Sequence, residues 1–68
     1  MALSARNHLQ GTIEEVQIGD VLAHVTVRTA AGLIESVITR RSLEEMSLKK
    51  GDAVTAVVKA TEVMIAKP

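Results

Sequence analysis

The sequence predicts an all-β fold, a five-stranded OB-like barrel with one short helix between strands 3 and 4. Three observations carry that prediction. Apolar and polar residues alternate with a period of two along much of the chain. The alternation breaks once, at a segment that opens with helix-start chemistry. Turn-forming pairs divide the remainder into short runs. A small SH3-like barrel is the competing arrangement, and pattern alone does not separate the two.

Taken in order, "HLQGTIEEVQI" reads as the first strand, with Gly11 a bulge or a point of close backbone approach. Gly19-Asp20 is suited to a tight hairpin turn, because glycine supplies a positive φ. In "DVLAHVTVRT", Val21, Ala23, Val25 and Val27 alternate with Leu22, His24, Thr26 and Arg28, so one face is mostly buried. A turn at "TAAG" leads to "LIESVIT", a third strand with apolar residues on both faces. "RSLEEMSLKKGD" then reads as a short helix. Ser42 and Glu45 have the spacing of a capping box, Leu43 and Met46 would face the core, and Gly51 would end the segment. "AVTAVVKA" is the fourth strand, and "EVMIAK" a shorter fifth after a bend at Ala60-Thr61.

Sixty-eight residues make one domain, 1–68, and a marginal one. The usual staples are missing. Cysteine is absent, which excludes disulfides and Cys-based zinc or iron–sulfur sites. His8 and His24 lie sixteen residues apart with no third ligand at a recognisable spacing. Yet 47% of the chain is apolar, more than a monomer of this size easily hides. Self-association is the remaining staple, so a homo-oligomer is expected.

Eight basic and eight acidic residues cancel, and there is no Phe, Tyr or Trp. Nucleic acid is therefore disfavoured, since it calls for a basic groove and aromatic platforms. No signal peptide precedes the first strand, and no apolar run approaches the roughly 20 residues that span a bilayer. The expectation is a soluble, cytoplasmic protein without a membrane partner. No nucleophile–base pairing is recognisable, and Glu14-Glu15, as neighbours on a strand, would point to opposite faces. Glu44-Glu45 reads as surface charge and cap. No catalytic residue and no enzyme are expected.

Small anions fit better. A tetrahedral oxyanion offers only acceptors, so its site must be built from donors. "SARN" supplies the Ser4 hydroxyl, the Arg6 guanidinium and the Asn7 carboxamide within four residues. "KAT" supplies the Lys59 ammonium, the Thr61 hydroxyl and backbone amides at a bend. "ITRRS" places Thr39 and Ser42 around a helix N-terminus, where orphan N–H groups favour negative charge.

"SARNHLQGTI", "ITRRSLEEM" and "AVVKATEVMIA" together resemble the molbindin, or Mop, family of molybdate-binding proteins. The likeness covers nearly the whole chain. It implies an OB-like barrel assembled as a homohexamer, a trimer of dimers, that binds molybdate or tungstate at subunit interfaces. No organic cofactor is involved, and the metal is held as its oxyanion with no direct metal ligand. The implied role is intracellular storage or buffering of molybdenum. The alternative is a regulatory or scaffolding module whose anion stabilises the assembly, since related domains occur in molybdate-responsive regulators and transporter ATPases. Carried over by motif, the anion ligands are Ser4, Arg6, Asn7, Thr39, Ser42, Lys59, Ala60 and Thr61, with SARN offered by one subunit and KAT by a neighbour. Many members have Ser after the lysine, where this chain has Ala60. A backbone N–H there, or the Thr61 hydroxyl, is left to substitute. The family has a second class of anion site. His24 and the Gly19-Asp20 turn are candidates for it, and a surface histidine and an ordinary hairpin describe them equally well.

Overall fold

A computed structural model describes residues 2–68. Its elements are β1 (Asn7–Ile18), β2 (Leu22–Thr29), β3 (Gly32–Thr39), the helix α1 (Arg40–Glu45), β4 (Ala53–Val58) and a 3₁₀ turn, Ala60–Glu62. The four strands form one antiparallel sheet in the order β3-β2-β1-β4. β1 is long enough to serve two partners. Its first half pairs with β4, from Asn7↔Val58 to Thr12↔Ala53, and its second half with β2, from Gly11↔Thr29 to Ile18↔Ala23.

The period-two pattern does what it predicted on β2. Ala23, Val25 and Val27 are buried together with Ile13 of β1 and Leu43 of α1, and Val16, Ile38, Leu48 and Val54 pack around them. Val21 departs from the pattern, being 71% exposed because it belongs to the turn before β2. On β3 the two-faced reading is half right. Ile34 and Ile38 are half-buried, whereas Leu33 and Val37 are exposed on the outer face.

The expected barrel does not close. Residues 62–67 form no fifth strand, so the sheet has four strands and stays open. Beyond the 3₁₀ turn Val63 is extended, at φ −88 and ψ 122, but Met64 and Ile65 are 92% and 90% exposed. Alternating apolar residues record that a segment is fit to be buried, not which edge it meets. Here β3 and β4 each keep an unpaired edge. Between their inner faces runs an apolar groove of about 250 Å³ lined by Ile34, Ile38, Leu48, Val54, Ala56 and Val58.

Gly11 is a close-approach point, and the bulge lies further on. A Cβ at Gly11 would overlap the carbonyl oxygen of Arg28 and come within 2.8 Å of Val27 Cγ1. The register shift falls between Ile13 and Glu15, leaving Glu14 as the extra residue. The shift also overturns the opposite-face reading of Glu14-Glu15. Glu14 pairs with Arg28, while Glu15 lies across from Thr26, two residues from Arg28 on the same face. Both carboxylates thus occupy the outer face. The turn at Gly19-Asp20 forms, but without a positive φ at Gly19. Instead the Gly19 N–H donates to the Leu22 carbonyl at 2.8 Å, and a Cβ there would come within 2.9 Å of that oxygen.

The N-cap of α1 falls three residues before the expected one. Thr39 is the N-cap, its hydroxyl accepting from the Ser42 N–H at 3.0 Å, so Ser42 lies inside the first turn. No Ser42–Glu45 capping box forms. Glu45 instead accepts from Arg41 Nε at 3.1 Å, and Arg40 pairs with Glu44 at 3.8 Å, both at i,i+4 spacing. Leu43 is buried as expected, but Met46 is 56% exposed. The helix ends well before Gly51. Ser47 takes the left-handed conformation, φ 51, while the Ser47 N–H donates to Glu44 O and the Leu48 N–H to Leu43 O. These are the two bonds of a Schellman motif, and Leu43 and Leu48 make its apolar contact.

Asp52 secures the turn into β4. Its carboxylate accepts from the Lys49 ammonium and from the Lys49 backbone N–H, each at 3.1 Å. The hydrogen bond from the Lys49 side chain, then that from its backbone, holds the carboxyl below its ordinary range. A depressed carboxyl stabilises the fold above its unfolded-state value, about 4, and that contribution is lost as pH falls through the lower folded value. Asp52→Asn should therefore be less stable than the parent at pH 7, with the gap narrowing as the pH drops below about 4. Thermal melts between pH 2 and pH 7 check this, and a constant gap would contradict it.

Candidate anion-binding site

The two donor-rich ends of the chain meet in one subunit. Asn7, the last residue of SARN, opens β1 directly across from Val58, the last residue of β4. Its Nδ2 also donates to the Val58 carbonyl at 3.2 Å. One N–H of that carboxamide therefore ties the ends together, and its second N–H is left to donate toward an anion. Lys59 follows Val58 at once and caps the 3₁₀ turn, whose Glu62 N–H donates to the Lys59 carbonyl at 2.9 Å. The Asn7–Val58 register thus brings SARN and KAT to one end of the same subunit.

Arg6 and Lys59 are both exposed, and neither takes part in an ion pair among the described residues. Arg28, Arg40, Arg41 and Lys49 are all paired with carboxylates. Lys50 and Lys67 are unpaired as well. What distinguishes Arg6 and Lys59 is that the Asn7–Val58 pairing sets them at the same end of one strand pair. The N–H groups of Ala60 and Thr61, the first of the 3₁₀ turn, have no acceptor among the described residues. Ser4 stands at a bend just upstream, exposed. This end of the sheet thus carries a guanidinium, an ammonium, two amides and the hydroxyls of Ser4 and Thr61. All are donors toward an anion.

Thr39 and Ser42 lie at the other end. Thr39 pairs with Leu22, just past the turn that follows Ile18. The twelve residues of β1 separate that turn from Asn7, a span on the order of 35 Å for an extended strand. The long dimension of the molecule is 36 Å. The two groups of donors cannot converge on one anion within a single chain. At this far end the Thr39 hydroxyl is occupied. It accepts from Ser42 N–H and donates to Ser42 Oγ at 2.9 Å, leaving the Ser42 hydroxyl proton as the available donor.

Two further positions can be placed. His24, on the outer face between Gln17 and Val37, lies 3.6 Å from the Glu35 carboxylate. It faces an acid, and the Gly19-Asp20 turn is exposed. The sequence reading weighed His8 only as a metal ligand. Its Nε2 lies 2.6 Å from the Ala5 carbonyl oxygen, closing a loop across Arg6 and Asn7. The one available signal was a long-reaching donor three residues after Ala5. No cluster of three or more His, Cys, Asp or Glu able to hold a metal ion occurs among the described residues.

Comparison with known proteins identifies the family. Residues 3–65 match the TOBE domain family. The chain is 46% identical over 66 residues to molybdenum-pterin-binding protein 2 of Clostridium pasteurianum, covering 96% of this chain and 97% of that protein. Among solved structures it superposes on a molybdate binding protein from Sporomusa ovata with a TM-score of 0.93 at 37% identity, covering 98% of this chain and all of the other. The cytoplasmic molybdate-binding protein ModG, in a form with molybdate bound, superposes with a TM-score of 0.83 at 41% identity, covering 88% of this chain and 43% of ModG. With the SARN and KAT segments joined at one end of an open antiparallel sheet, and near-complete overlap in sequence and fold with these relatives, the chain belongs to the molbindin, or Mop, family of TOBE domains.

Proposed function

We propose that the protein reversibly binds molybdate, or tungstate, as an intact tetrahedral oxyanion, in a binding rather than a catalytic role. The observation that carries this is the pairing of two uncompensated cations, Arg6 and Lys59, by the Asn7–Val58 contact at one end of β1 and β4. Ser4 and the Ala60 and Thr61 groups supply neutral donors beside them. Each charged hydrogen bond to such an anion contributes roughly 1.5–3 kcal/mol, so a few suffice for micromolar binding. Ala60 donates through its backbone N–H. The clostridial relative is named for molybdenum-pterin binding. A pterin ring would find no aromatic side chain to stack on in this chain, which favours the oxyanion itself as the ligand, with no organic cofactor.

The site is completed between subunits. Ser42 lies too far from Arg6 within one chain, and a second copy can bring its Ser42 end to the first copy's SARN–KAT end. Unpaired edges on β3 and β4 and the exposed Leu22, Val37, Met64 and Ile65 support a homo-oligomer, a hexamer built as a trimer of dimers. Each subunit is one domain, residues 1–68. Among the described residues no helix is long and apolar enough to cross a membrane. The role is storage or buffering of molybdenum in the cytoplasm, the compartment named for ModG. The exposed tail also favours a second reading, an assembly module that the anion stabilises by binding only the native oligomer.

Truncation after Glu62 tests the assembly. Removing the tail should convert the hexamer to smaller species in sedimentation equilibrium and weaken molybdate binding with it. An unchanged mass would place the subunit contacts elsewhere. If the oligomer dissociates when molybdate is withdrawn from the full chain, the second reading displaces storage.

A further inference from the structure

The geometry points to His8 as a positioning residue for the anion site, an assignment that rests on the oxyanion reading above. Arg6 is exposed and has no side-chain partner among the described residues, so only its backbone fixes where the guanidinium starts. That backbone is held on both sides. On the C-terminal side, Asn7 is in register with Val58 and donates its carboxamide N–H to the Val58 carbonyl at 3.2 Å. On the N-terminal side, the His8 ring reaches back three residues to the Ala5 carbonyl at 2.6 Å. Ala5 is half-buried, whereas Ser4 and Arg6 flanking it are exposed. The His8 contact is the only side-chain hydrogen bond to residues 2–6 among the described residues. Without it, no side-chain hydrogen bond holds the segment that carries Ser4 and Arg6.

A carbonyl oxygen only accepts, so Nε2 carries the proton in this contact. Both the neutral Nε2–H tautomer and the imidazolium satisfy it, which means the hold persists when the ring is uncharged. His8 thus acts through Arg6 and Ser4 by lowering the disorder that anion binding must otherwise remove. It is not required to touch the anion. Charged groups on the segments meeting here are Arg6, Lys59 and Glu62, and none of them forms an ion pair with the ring.

Molybdate titrations of the full-length oligomer at pH 6 and pH 8 test this, using His8→Ala, His8→Gln and Arg6→Ala. Glutamine places an amide N–H at about the reach of an imidazole Nε2, so it restores the bond to Ala5 without a titrating ring. His8→Ala should weaken binding by about fivefold at both pH values, with the melting temperature of the anion-free protein unchanged. His8→Gln should return to within about twofold of the parent. Three results would overturn the assignment. One is a His8→Ala protein that binds like the parent while Arg6→Ala does not, which leaves the oxyanion reading standing. A second is a defect confined to pH 6 or not rescued by glutamine, which would mean that ring charge or a direct contact matters instead. The third is an Arg6→Ala protein with undiminished binding, which removes the oxyanion site and the role of His8 with it.

Discussion

Gly11→Ala should unfold the protein or lower its melting temperature by more than any surface substitution. Gly11 sits where β1 passes from β4 to β2, paired with Val54 on one side and Thr29 on the other. A single added carbon would overlap the Arg28 carbonyl and press within 2.8 Å of Val27 Cγ1. Arg28 cannot retreat cheaply, because β2 is held between β1 and β3. Val27 is part of the buried core. Overpacking against side chains alone costs about 1–3 kcal/mol, and backbone overlap adds to that. A chain of 68 residues has little to lose, given total stabilities of about 5–15 kcal/mol for ordinary domains. Thr12→Ala, at the exposed neighbour, is the control and should shift stability by no more than about 0.5 kcal/mol. Circular dichroism melts decide the matter. A Gly11→Ala protein that melts with the parent would show that the crossing of β1 over β2 is looser than described.

Arg6→Ala and Lys59→Ala should each weaken molybdate binding by roughly 10- to 100-fold, the loss of one charge-assisted hydrogen bond of about 1.5–3 kcal/mol. Neither side chain has an ion-pair partner among the described residues, so the anion-free fold should melt as before. This separation of binding from stability is what a purely structural role for SARN and KAT would not give. A Lys59→Arg variant keeps the charge but replaces a compact ammonium with a planar fork, and should recover only part of the affinity. If both alanine variants bind like the parent, the anion lies elsewhere on the molecule.

The parts of this fold that depend on local pattern were legible in the sequence. β2 could be placed from Ala23, Val25 and Val27, and the short helix from the break in alternation that follows Thr39. Legibility failed where two residues compete for one role or where a partner strand decides. Thr39 and Ser42 are both good caps, and the one at the end of β3 took the position because its extended backbone leads directly into the turn. Ser47 adopted the left-handed conformation that Gly51 was expected to supply at the helix end, because the Schellman bonds and the Leu43–Leu48 contact outweigh the cost of a Cβ there. The tail from Glu62 to Lys67 carries a strand's composition but pairs with neither free edge of its own chain's sheet. The anion-site residues were legible as donor types, but their grouping was not. Only the Asn7↔Val58 register puts SARN beside KAT, and only the length of β1 separates both from Ser42.

Calorimetric titration of the purified protein with molybdate, in buffer containing excess sulfate, tests the oxyanion site most directly. Saturable heat at a fixed number of anions per subunit is the expected result, with the isotherm shifted to weaker binding in Arg6→Ala. No heat from a folded oligomer would contradict molybdate binding outright, and heat that disappears in sulfate would reduce the site to a general anion pocket.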